Sequence, residues 1–156
     1  SIQKLPHVNY FVQSANIPEI SLSEVERMSP FVRLPTPGTQ LTFGSLELRF
    51  RVDEDLKNYK EIYNWMMGLG FPDNFEQRAN IGRSKNTGTV SVGEVLSDAT
   101  LLITTASYQT NVSINFVDAY PTSLSTLEFN INATDVEYLE ATSSFTYRKY
   151  DIVDLV

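Results

Sequence analysis

The segment Phe43–Gly68, FGSLELRFRVDEDLKNYKEIYNWMMG, carries two structural periods in succession and constrains the fold more than any other stretch. Leu46, Leu48, Phe50 and Val52 alternate with Glu47, Arg49 and Arg51, the pattern of a strand with one dry and one wet face. Asp53 breaks the alternation. With Glu54 it is placed to cap a helix, because carboxylates accept from the free N–H groups of a first turn and sit well at the positive end of the dipole. Leu56, Tyr59, Ile62, Tyr63 and Met66 then recur at helical spacing, and Gly68 is placed to end the helix. Phe50 and Val52 on the strand, with Ile62 and Trp65 on the helix, are the expected core anchors of this unit.

Alternation recurs elsewhere, and the sum predicts a mainly β chain. Val8–Ser14 reads as a strand ended by Pro18. Residues 19–40, with Pro30, Pro35, Pro37 and Gly38, read as a long connection or an edge hairpin with a short strand near Phe31–Leu34. Residues 70–98 form a second weakly patterned segment, with a short strand expected at Thr89–Val95. Thr100–Ser107 and Asn111–Asp118 read as a strand pair, with Phe116 inward, followed by a turn at Pro121–Ser123. Thr126–Asn132 resumes the alternation with Leu127, Phe129 and Ile131 inward, and Thr142–Asp151 reads as one aromatic-rich final strand. The expected fold is an antiparallel β-sandwich or barrel of about six or seven strands flanked by one α-helix. One domain over residues 1–156 is expected, with extended segments at 19–40 and 70–98.

Composition narrows the chemistry. The chain has no cysteine, which excludes disulfides, thiolate metal sites and cysteine nucleophiles. A formal charge of −7 argues against a groove that grips nucleic acid, which needs clustered Lys and Arg. It is compatible with a channel wall that repels phosphate, and equally with simple solubility. No apolar run approaches the roughly 18 residues of a membrane span. His7, the only histidine, lies beside Pro6 with no orienting partner in the local sequence and reads as a surface residue. No nucleophile elbow, zinc-protease or phosphate-loop motif is present. Asp53, Glu54 and Asp55 are adjacent carboxylates whose placement is explained by the helix terminus rather than by metal binding or acid–base work. No catalytic residue, metal site or cofactor is expected.

The colinear order of these pieces resembles the tail tube proteins of T4-like contractile-tailed phages. The matching features are the alternating strand, the Val52-Asp53-Glu54 junction, the helix carrying Trp65, the Asp118-Ala-Tyr-Pro121-Thr122 stretch and the aromatic-rich C-terminal strand. The likeness runs from about Asn9 to Ile152. It implies a structural virion protein, not an enzyme, made in the host cytoplasm and built into the phage tail. Its partners would be further copies of itself in a hexameric ring, and other tail proteins of the tube, sheath or baseplate hub. DNA would pass through the channel without specific binding. Arg78, Arg83 and Lys85 would lie in a loop between stacked rings. Members of that family usually carry a further helix and strand where SIQKLPH stands here, so a baseplate-proximal ring of the same fold is expected beside the main tube subunit. A monomeric β-sandwich binding module is the third reading. Its loops would need aromatic residues, and residues 70–98 hold only Phe71 and Phe75.

Overall fold

The computed structural model describes residues 1–2, 4–28, 31–70, 95–129 and 138–155. Arg78, Arg83 and Lys85, the expected strand Thr89–Val95 except for Val95 itself, and Ile131 therefore lie outside the described residues. Within them the chain runs α1 (Pro6–Phe11), β1 (Val12–Ala15), β2 (Ile20–Met28), β3 (Arg33–Phe43), β4 (Leu46–Arg51), α2 (Lys57–Gly70), β5 (Ser97–Thr104), β6 (Thr110–Leu124), β7 (Glu140–Thr146) and β8 (Lys149–Asp154). Every strand pairing is antiparallel. The main sheet follows the order β1-β4-β7-β6-β5, with β8 on the free side of β6, and curls into a half-barrel; β2 and β3 form a separate ribbon.

The core lies between this curled sheet and α2. Leu46, Leu48 and Phe50 of β4 stand opposite Phe145, Ser143 and Ala141 of β7, and all six are buried. The helix adds Ile62 and Trp65, whose ring centroid lies 6.4 Å from that of Phe145. The Trp65 indole N–H donates to the Val95 carbonyl at 3.1 Å, so the only tryptophan is both packed and satisfied. Val52 and Phe116 complete the set of buried anchors.

Several local expectations need correction. Val8–Ser14 is not one strand: residues through Phe11 are helical, with Pro6 in the first turn where its missing N–H is harmless. The same spacing serves either period over so few residues, and tertiary contacts decide. Asn9 brackets Ile2, donating to its carbonyl at 2.7 Å and accepting from its N–H at 2.8 Å, while Val8 is fully buried.

Asp53 and Glu54 do not cap α2. The Leu56 N–H donates to the Asp53 carbonyl, Leu56 takes a φ of 57°, and the helix starts only at Lys57. The junction is held instead by Asn58, fully buried, whose side chain donates to the Arg51 carbonyl at 2.7 Å and accepts from the N–H groups of Asp53 and Tyr59. Asp55 pairs with Lys57 at 2.7 Å, and that ammonium holds its carboxyl below the usual value. At the other end Gly68 is a buried helical residue, and α2 runs on to Gly70 so that Leu69 still reaches the core.

The third correction concerns the corner of the half-barrel. Pro121–Ser123 is not a turn: β6 passes through it for 15 residues and changes partners on the way. Val112–Val117 pair with β8, whereas Tyr120–Leu124 pair with β7. Asp118, at φ 58°, makes the bend. Opposite it, the expected strand Thr142–Asp151 breaks at Tyr147-Arg148 into β7 and β8, and Arg148 Nε pairs with Asp118 Oδ2 at 3.2 Å. Phe129 is not a core residue either: residues 125–129 leave the sheet after the Ser125 N–H meets the Thr142 carbonyl, Phe129 is 68% exposed, and among the described residues no strand pairs with this stretch.

An aromatic cluster of Phe43, Phe116, Tyr147 and Tyr150 fills the corner, with ring centroids 4.9 to 6.1 Å apart. The Tyr147 hydroxyl donates to the Gly44 carbonyl at 2.8 Å, and burial followed by the neighbouring Tyr150 pushes its pKa up to about 12. Because the folded form holds this proton above the ordinary value of 10.0, stability present below pH 10 is lost as pH rises towards 12. Denaturant midpoints measured across that window are expected to fall. Tyr147→Phe flattens the dependence, at a loss of about 1 kcal/mol for the hydrogen bond.

Candidate assembly surfaces

Among the described residues no group of three or more His, Cys, Asp or Glu is gathered to hold a metal. His7 on α1 meets Glu61 Oε1 on α2, a contact between two helices rather than the start of a catalytic array. Asp53 and Glu54 sit in the turn before α2, while Phe50, Val52, Ile62, Trp65 and Phe116 lie in the core. The chemistry of the surface lies elsewhere, in two features that the residue patterns of the sequence did not resolve.

The first is the β2–β3 ribbon, nine and eleven residues long. Near its base Ile20 stands opposite Phe43 and Leu22 opposite Leu41. Phe43 anchors that end on Tyr147 and Tyr150. Outward the ribbon leaves the body of the domain: Ile20, Leu22, Val25, Leu34 and Leu41 are each about half exposed, and Met28 and Phe31 are 90% and 93% exposed. The register shifts between Leu22 and Glu24, where the Gln40 N–H donates to Ser23 Oγ at 3.0 Å. Gly38 lies against this kink so closely that a Cβ would stand 2.3 Å from Ser23 Oγ and 2.7 Å from its carbonyl oxygen, so only glycine fits.

Of the two readings of residues 19–40, a long connection or an edge hairpin, the structure shows the hairpin; its prolines kept the choice open, because they normally argue against a strand. In a two-stranded ribbon each strand has an outward edge, and Pro35 and Pro37 direct their nitrogens there, opposite Glu26 and Glu24. The signal that was present is the alternation of Ile20 and Leu22 with Ser21 and Ser23.

The second feature is the open side of the half-barrel. β1 and β5 are the two ends of the main sheet path, and among the described strands each pairs with one neighbour. Between them lies an apolar slot of about 300 Å³ walled by Val12, Leu46, Leu48, Leu101, Leu102 and Phe116. Residues 1–2 cover one end of the β5 edge, where the Thr100 N–H donates to the Ser1 carbonyl and Ile2 bridges Ala99. Leu102, 55% exposed, stands at the uncovered end. β8 offers a further edge beyond β6 and carries Ile152 and Val153 at 59% and 43% exposure.

Comparisons with known proteins bear on the chain as a whole. The model of a family described as phage tail tube protein matches residues 2–153. The chain is 25% identical to the tail tube terminator protein of Enterobacteria phage T4 over 160 residues, covering 97% of this chain and 85% of that protein. Among solved structures it is similar to the tube-terminating cap of the anti-feeding prophage, with a TM-score of 0.56 and 18% identity over 92% of this chain and 80% of that one. It is also similar to a chain in the sheath/tube terminator structure of the PVC extracellular contractile injection system, with a TM-score of 0.57 and 19% identity over 91% of this chain and 84% of that one. At such identities these two structures bear on the fold, and the fold is shared.

Proposed function

Because the chain belongs to the phage tail tube protein family, we propose that its copies close into a ring that caps the end of a tail tube. The coarse assignment is a structural protein of a contractile phage tail, of tube or terminator type. The finer reading places it as a non-enzymatic terminator, a hexamer by resemblance to the family, meeting the tube and sheath on its outer surfaces. Its channel would let DNA through without specific binding.

The observation that carries the ring is the unfinished sheet. A half-barrel whose outer edges at β1, β5 and β8 meet no further described strand, together with a ribbon with apolar side chains in water, is an aggregation hazard for a monomer. Cyclic closure pairs or covers such edges and leaves no template for open-ended growth. The terminal position is supported by the T4 relative, whose name describes a tube terminator and whose likeness runs over nearly the whole chain. The description of the family as a whole favours a second reading, a repeating subunit of the tube itself. A ring of the same fold at the baseplate end is a variant of the first.

Light scattering across a concentration series, with negative-stain imaging of the same samples, tests both. The terminator reading expects single rings that do not elongate and that stop the growth of tubes formed by the partner tube subunit. Long tubes made by this chain alone would replace it with the repeating subunit. A monomer at every concentration, without effect on tube growth, would remove the ring altogether.

A further inference from the structure

We propose that the tip of the β2–β3 ribbon of one copy seats in the slot between β1 and β5 of the next, with Phe31 and Met28 as anchors. The proposal rests on the ring reading and identifies which two surfaces join. The donor is an apolar tip held away from its own domain: the extensive contacts of β2 and β3 are with each other, and the ribbon is fixed to the body at its base through Phe43. Nine residues at about 3.3 Å each give the ribbon a reach of about 30 Å, enough to cross to a neighbouring copy.

The acceptor matches in size and chemistry. A cavity of about 150 Å³ takes a benzene ring, so a slot of about 300 Å³ has room for a phenylalanine and a methionine side chain. Its walls are aliphatic and aromatic, and its rim supplies main-chain groups. The Thr100 N–H and carbonyl point out of the sheet edge towards Ser1, and by strand alternation those of Leu102 point the same way. Aromatic and other large apolar anchors filling a pocket, with polar groups at its rim, are the usual centre of a protein interface.

The mode of contact follows from the prolines. Pro35 and Pro37 leave the outer edge of β3 short of donors, so that edge does not extend another sheet by strand pairing. On that side β3 engages through side chains. Since tip and slot are different surfaces of one chain, the contact is head-to-tail, the kind that closes into a ring.

The absence of cysteine makes a direct test available. A chain carrying both Phe31→Cys and Leu102→Cys, oxidised under conditions where rings are seen, is expected to give a covalent ladder ending at the full ring. Each single variant gives no ladder. Phe31→Asp, at a residue 93% exposed in the single chain, is expected to leave the thermal midpoint unchanged. It would raise the concentration needed for assembly about thirtyfold, as loss of a hot-spot anchor does. Rings without a ladder, or rings unaffected by Phe31→Asp, would overturn the tip-in-slot contact and leave the ring reading standing. A chain that remains monomeric and unlinked at every concentration overturns both.

Discussion

Phe145→Ala is expected to lower stability by roughly 3–5 kcal/mol, the usual range for removing a buried phenylalanine. Phe145 is fully buried, lies opposite Leu46 on one neighbour strand and Pro121 on the other, and meets the Trp65 ring of α2. It therefore joins three elements whose contacts are all far apart in sequence. For a domain of this length each kcal/mol moves the thermal midpoint by about 2–4 °C, so a fall of roughly 10 °C is the expected result in a melting experiment. Against a total stability of about 5–15 kcal/mol this is a large share. Tyr10→Ala, at a residue 83% exposed, serves as the control and is expected to stay within about 0.5 kcal/mol of the parent. Equal shifts for the two variants would mean that the core is not centred on the β4–β7–α2 contact.

The second large effect is expected at Asn58. Its side chain satisfies three main-chain groups around the strand-to-helix junction: the Arg51 carbonyl and the N–H groups of Asp53 and Tyr59. Asn58→Ala removes these partners from a fully buried position, and each orphaned group costs about 1–3 kcal/mol, so a loss of at least about 3 kcal/mol is expected in urea denaturation. Asn58→Asp separates packing from hydrogen bonding. A carboxylate has nearly the same shape and still accepts from the two N–H groups, but it has no donor for Arg51 and sets a charge against that carbonyl. It is expected to be at least as damaging as alanine at pH 7, because a buried charge is added to the lost bond. If both variants unfold like the parent, the junction is held by the packing of Leu56 and Ile62 and the Asn58 bonds are incidental.

These two positions differ in how far the sequence announces them. The alternation from Leu46 to Val52 places Leu48 and Phe50 on a buried face, and the spacing of Ile62 and Trp65 places them on the inner face of a helix. Burial of large apolar residues is nearly context-free over a well-patterned strand or helix, so the β4–α2 unit is legible from residues alone. Asn58 carries no such mark. A polar residue inside a helix pattern reads as solvated, and its role depends on Arg51 and Asp53 being brought within reach by a turn in which Leu56 adopts a positive φ. Asp53, the apparent cap, has the right residue type and stands three residues before the cap position of a helix that starts at Lys57.

What the sequence determined by itself was the mainly β class, the alternating strand followed by an amphipathic helix, and the family order that links this chain to tail tube proteins. Each of these rests on local period or on residues in linear sequence. The tertiary structure decided where strands turn corners and which surfaces stay open. The residue pattern reads a turn at Pro121–Ser123 and one strand over Thr142–Asp151, whereas β6 runs through the first and the second divides at Tyr147-Arg148, because the side-chain period does not record which partner a strand takes. The ribbon at residues 20–43 is extended because its two strands pair with each other, although its prolines argue locally for a loop. The slot between β1 and β5 has no sequence signature, since its walls come from strands distant along the chain and exist only once the sheet has curled without closing.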